Sequence, residues 1–303
     1  MRIGYPCINR SIGCTASRTF RLASWSEERL KDIVKGNLAC LEKILGYNRA
    51  EGLLFFRITS DLVPFASHPV CTFPWKDEFA GEFETIGETI RRYGFRISMH
   101  PDQFVLLNTP DNGVLQRSIA DLVYQVQVLD LMGLDSAAKV QVHVGGIYGD
   151  KQAAIDRFIR RYDVLDPAIQ EHLVIENDER LYTISDCLAI HERTGIPVIA
   201  DTFHHSLLNN GEPVTSLLDM VRKTWKPGDG IPMIDYSSQE PGKRVGAHAM
   251  HIVEGDFRHF LKETLPADFD VMLEIKDKEK SALVALGIAW DDPRLVTGVP
   301  GDG

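Results

Sequence analysis

Six short apolar runs in this chain each lead into a residue type that ligates divalent metals. They are FRISMH ending at His100, KVQVHV with His143, HLVIE with Glu176, PVIAD with Asp201, MIDY with Asp235 and DVMLE with Glu274. His204 follows Asp201 by three positions, and His248 lies in GAHA. The order is strand, ligand, helix, repeated along the chain. A (β/α)₈ TIM barrel collects the C-terminal ends of its parallel strands at one face, where active sites are built. Residues far apart in sequence are therefore expected to meet there as a multi-metal hydrolytic centre.

Eight strands are predicted, at 2–5, 53–58, 95–100, 139–144, 172–177, 197–201, 231–236 and 270–275. Most are near-continuous apolar runs, the pattern of parallel strands covered on both faces. Helical spacing of three and four predicts helices at 26–46, 78–93, 114–132, 151–162, 183–194, 215–224, 256–263 and 278–286. Ser26 before Glu27 and Glu28 marks one start, and Gly133 marks one stop. With 303 residues and no linker or repeat, the chain reads as one barrel over 1–287 and an extended, partly loose tail over 288–303.

Apolar runs stay short of the ~18 residues a membrane span needs. MRIGYP shows no signal-peptide pattern, and the five cysteines (7, 14, 40, 71 and 187) form no CxxC pair. A cytoplasmic protein with free thiols is expected. The net charge of −10 argues against a polyanionic partner. Three ions of charge +2 would offset six of those ten charges and reverse the local field where they sit.

Mixed imidazole and carboxylate donors suit Zn²⁺, Mn²⁺ or Fe²⁺ better than Ca²⁺. Glu176 has two oxygens and can bridge two ions, one with His100 and His143, the other with Asp201, Asp235 and Glu274. His204 and His248 would begin a third site. Taken singly, each residue is more often a cap, a salt-bridge partner or a core group; the common position at strand ends is the argument. His172, His191 and His259 lie off the strand ends and read as surface residues. His205 is expected to point away from its neighbour His204.

The chain resembles the UV damage endonucleases, whose fold and metal centre are similar to those of endonuclease IV. The matching segments are GYPCIN at 4–9, SHP at 67–69, SMHPDQF at 98–104, VHVGG at 142–146, IEND at 175–178, ADTFHH at 200–205, DYSS at 235–238, GAHA at 246–249 and MLEIKDKE at 272–279. The resemblance implies a TIM barrel with up to three metal ions, often Mn²⁺, with Mg²⁺ or Zn²⁺ as alternatives. It implies double-stranded DNA carrying UV lesions as substrate, with no membrane and no obligatory protein partner. The backbone would be nicked immediately 5′ to cyclobutane dimers or 6-4 photoproducts, leaving a 3′-hydroxyl and a 5′-phosphate. Gln103 and Phe104 match the pair that inserts into the duplex, and Tyr5 an aromatic that probes from the other side, with Asn9 beside it. His68 matches a histidine near the scissile phosphate, and Lys276 is placed to bind phosphate.

Two departures stand out. The family often has Lys-x-His where this chain has Met233-x-Asp235, which should shift preference toward Mn²⁺ or Mg²⁺. Phe104 stands where tyrosine is common, so a hydroxyl contact is lost. The competing readings are a metal-dependent sugar isomerase or epimerase on the same barrel and a damage-binding protein without catalysis. The Gln103–Phe104 pair and the second tier of histidines favour the nuclease. An amidohydrolase is disfavoured because the first strand has no HxH.

Overall fold

In the computed structural model, which describes residues 1–296, eight parallel strands close into a barrel in sequence order. They are β1 Ile3–Pro6, β2 Phe55–Ile58, β3 Arg96–Met99, β4 Lys139–His143, β5 Leu173–Glu176, β6 Val198–Asp201, β7 Met233–Tyr236 and β8 Asp270–Leu273. The helices are α1 Glu27–Glu51, α2 Trp75–Glu78, α3 Ala80–Arg92, α4 Asn112–Leu131, α5 Lys151–Tyr162, α6 Pro167–His172, α7 Ile184–Thr194, α8 Thr202–Leu207, α9 Val214–Arg222, α10 Glu254–Glu263 and α11 Glu279–Ile288. This is the expected single-domain (β/α)₈ TIM barrel. Ser26 caps α1 through the Arg29 amide at 3.2 Å, and Gly52 ends it in the left-handed conformation. The short helices α2, α6 and α8 escaped prediction, since four to six residues carry no readable 3.6-residue period.

The barrel interior is layered. Side chains two apart on a strand share a face. Phe55, Val174, Ile199, Met233 and Met272 form a closed apolar cluster from five strands. Two residues further along the same strands stand Arg57, Glu176, Asp201, Asp235 and Glu274. An apolar floor thus lies directly under a charged layer at the C-terminal mouth. Burying each floor side chain contributes roughly 1.5–3 kcal/mol. At the other end, Lys139 is fully buried, with Nζ donating to Asp229 at 2.5 Å and to the Glu171 carbonyl at 2.8 Å.

Gly4 shows why β1 and β2 pack so closely. A Cβ there would lie 2.1 Å from the Phe55 carbonyl oxygen, so only glycine fits without moving backbone.

Three expectations need correction. Cys14 and Cys40 are joined as a disulfide, with Cα atoms 6.0 Å apart, inside the bridging range. The loop after β1 folds back onto the buried face of α1, a contact that spacing alone does not reveal; Cys7, Cys71 and Cys187 are free. His172 is buried rather than exposed, because it enters β5 at the covered end of the barrel and its Nδ1 bonds the Ala138 carbonyl at 2.7 Å. The early part of the presumed tail is held in place. Val296 donates to the Met1 carbonyl, and Arg294 donates to carbonyls of Leu261 and Ala267. Residues 297–303 of that tail lie outside the described residues. Among the described residues, no helix is long and apolar enough to cross a membrane.

Candidate metal centre

Strand register assembles the site. His143 on β4 pairs with Glu176 on β5, and Asp201 on β6 with Asp235 on β7. Two triads result, each with donor atoms within 4.8 Å of one another: His100, His143 and Glu176, and then Glu176, Asp201 and His204. Glu176 belongs to both. Its Oε1 is 3.2 Å from His100 Nε2 and 2.8 Å from His143 Nδ1. His204 lies against Asp201, Nδ1 to Oδ2 3.2 Å, and its ring centroid is 6.0 Å from that of His248.

The donor set fits divalent ions. The Nδ1 atoms of His100, His204 and His248 sit at 2.9, 3.1 and 2.9 Å from the carbonyls of Pro101, Asn177 and Glu274. A proton on each Nδ1 leaves Nε2 with a free lone pair, the arrangement usual in metal-ligating histidines. His143 Nδ1 is buried and makes no hydrogen bond despite its closeness to Glu176.

Charge balance points the same way. Burial raises the Asp201 pKa to about 7; His204 lowers it, but Glu274 and Glu176 add to the rise. Asp235 is raised well above the usual carboxylate range by burial and by the same neighbours, against the pull of Arg57. Burial disfavours charge on His143 and His204, yet Glu176 for the first and Asp201 for the second outweigh it and raise each to about 9. Burial likewise opposes ionisation of Glu176, but His143 and His100 hold it well below its ordinary value. Against burial, neighbouring cations thus hold Glu176, and Arg57 above all holds Glu274, below the ordinary carboxylate range, while burial keeps Asp201 and Asp235 above it; divalent cations would offset charge on that second pair.

Three site residues were missed from sequence: Arg57, Gln141 and Lys278. Arg57 Nη2 lies 2.9 Å from both oxygens of Asp235 and 2.8 Å from Gln141 Oε1, while Nη1 bonds Glu274. Gln141 Nε2 donates to Asp235 Oδ2 at 2.6 Å and to Glu176. A charged residue inside the apolar run FFRI was the available signal, since a fully covered strand tolerates one only if it is paired. Lys278 lines the mouth with Lys276, Arg57, His100, His248 and Glu274, around a cleft of about 460 Å³. Larger hollows, about 1030 and 650 Å³, open at the opposite end of the barrel, away from every ligand candidate.

The remaining candidates divide by exposure. Gln103 is exposed and Phe104 is 71% exposed, on the loop between β3 and α4. His68 is exposed on the loop after β2, its Nδ1 accepting from the Val70 amide at 3.0 Å. Tyr5 and Asn9 are buried instead. The Tyr5 hydroxyl donates to Asn48 at 2.6 Å and accepts from Asn9 at 2.9 Å, so both are committed to holding the β1 loop on α1. His205 points away from the centre, its Nε2 2.9 Å from the Glu212 carbonyl. His248 and Glu274 stand at the rim, 3.9 Å apart.

The family model UV-endonuclease UvdE matches residues 1–291. A UV DNA damage endonuclease of Clostridium perfringens (strain 13 / Type A) is 37% identical over 285 residues, which span 93% of this chain and 69% of the relative. That of Bacillus mycoides (strain KBAB4) is 33% identical, covering 93% and 92%. The crystal structure of SacUVDE superposes with a TM-score of 0.93 at 46% identity, over 97% of this chain and all of that one. A D-psicose 3-epimerase matches with a TM-score of 0.54 but only 11% identity, a likeness of fold alone. With the barrel and the ligand layer already in view, these similarities establish that the chain belongs to the UV-endonuclease UvdE family.

Proposed function

We propose that this protein is a metal-dependent endonuclease that nicks double-stranded DNA immediately 5′ to UV photoproducts, leaving a 3′-hydroxyl and a 5′-phosphate. The observation that carries the reading is Glu176, shared between two donor triads at the C-terminal mouth of the barrel. His100 and His143 with Glu176, and Asp201 and His204 with Glu176, would each hold one ion, with His248 and Glu274 at the rim. The mixed imidazole and carboxylate set suits Mn²⁺, with Mg²⁺ or Zn²⁺ as alternatives. When bound, such ions supply a nucleophilic water at neutral pH and offset charge on the phosphate and on the leaving 3′-oxygen.

The chain's own groups do the rest. Lys276 and Lys278 line the cleft and give the phosphate backbone positive partners in a protein of net charge −10. His68, exposed on the loop after β2, is assigned to the phosphate flanking the cut. Gln103 and Phe104 protrude from the loop after β3 and are assigned to the gap opened when damaged bases leave the stack. Unstacking costs least for a lesion, which gives such a wedge selectivity.

A UV-irradiated, end-labelled duplex incubated with protein and Mn²⁺ tests this. The expected product is a nick directly 5′ to each lesion, lost in chelator. Full nicking in chelator, or cutting without regard to lesions, would overturn the reading.

A further inference from the structure

We propose that Arg57 is a built-in cation of the metal centre: it stands in for one divalent ion, so this protein takes two ions, and Asp235 is the arginine's counter-ion, not a ligand. The inference rests on the metal-dependent reading above and concerns how many ions the site holds.

Both Asp235 oxygens lie 2.9 Å from Arg57 Nη2, and Oδ2 also accepts from Gln141 at 2.6 Å. Glu274 Oε1 accepts from Nη1 of the same guanidinium. Arg57 and Asp235 are 3% and 1% exposed, so neither charge has water as an alternative partner. An ion bound to Asp235 would have to displace the guanidinium from both Asp235 oxygens and would sit as a second cation against Arg57, which Glu274 and Gln141 also hold in place. Neither donor triad draws an atom from Asp235, Glu274 or His248.

The sequence supplies a reason. A histidine at 235 would be a neutral donor, whereas aspartate adds a buried negative charge that needs an answer. Beneath it Met233 belongs to the apolar floor, so no cation rises from below. Arg57, reaching across from β2, provides the charge. Its bonds to Asp235 and Glu274 hold it in the layer of the ligands, facing the cleft.

The test is the Mn²⁺ stoichiometry of stripped and reloaded protein, measured by elemental analysis after dialysis, with circular dichroism to confirm folding. Wild type should hold two equivalents. Asp235→Asn should still hold two, with Mn²⁺ affinity changed by less than about threefold. Arg57→Lys, which keeps the charge, should stay at two. Arg57→Gln, which frees two carboxylates, should admit a third. Three equivalents in wild type, or loss of one in Asp235→Asn, overturns the proposal. So does a folded Arg57→Gln that stays at two. Should Arg57→Gln not fold, the wild-type and Asp235→Asn results decide alone. Wild type that binds no ion and nicks damaged DNA in chelator would instead sink the metal-dependent reading itself.

Discussion

His143 Nδ1 lies 2.8 Å from Glu176 Oε1 across the β4–β5 pair, where the register sets the two residues side by side. The contact makes Glu176 the hinge of the site, since its carboxylate serves both triads. Glu176→Gln should therefore release metal from both and abolish nicking, with the fold kept. Retention of wild-type Mn²⁺ content by this variant would show that the ions bind elsewhere.

Phe104 and Tyr5, both matched to lesion contacts in sequence, should part ways on mutation. Phe104→Ala should weaken binding to UV-damaged duplex by about 1–3 kcal/mol, the usual worth of one stacking contact. Being largely exposed, it should leave thermal stability and metal content alone. Equal losses on damaged and undamaged duplex would remove Phe104 from lesion recognition.

Tyr5→Phe should act on stability. It leaves Asn48 and Asn9 without the hydroxyl in a buried setting, a loss of about 1–3 kcal/mol. Denaturant unfolding measures it, and titration with damaged duplex should show unchanged affinity. A specific loss of lesion binding at full stability would return Tyr5 to the recognition surface.

In chelator, stability should fall as pH rises. His143 and His204 have folded pKa values of about 9, above their ordinary 6.5, and Asp201 is raised to about 7 from 3.8. A group whose pKa is raised on folding stabilises below its unfolded pKa and loses that contribution as pH climbs through the folded one. For the two histidines the loss falls between about pH 6.5 and about pH 9. Mn²⁺ requires the unprotonated rings, so loading should remove this slope. A melting temperature that holds or rises across that window without metal would contradict the charge balance described here.

Periodicity and strand-end chemistry were enough to read the barrel, its eight strands and which side chains gather at its mouth, because a parallel strand buried on both faces writes itself as an apolar run and its terminal residue is forced to the mouth. The motifs carried the family in the same way. What lay beyond the sequence was every pairing across strands. That His204 joins Asp201, that Arg57 meets Asp235, that Cys14 reaches Cys40, and that Tyr5 turns into the β1–α1 junction while Phe104 stands in solvent depend on register, loop path and closure of the barrel. Those are set by contacts between residues tens to hundreds of positions apart, and no local pattern of spacing records them.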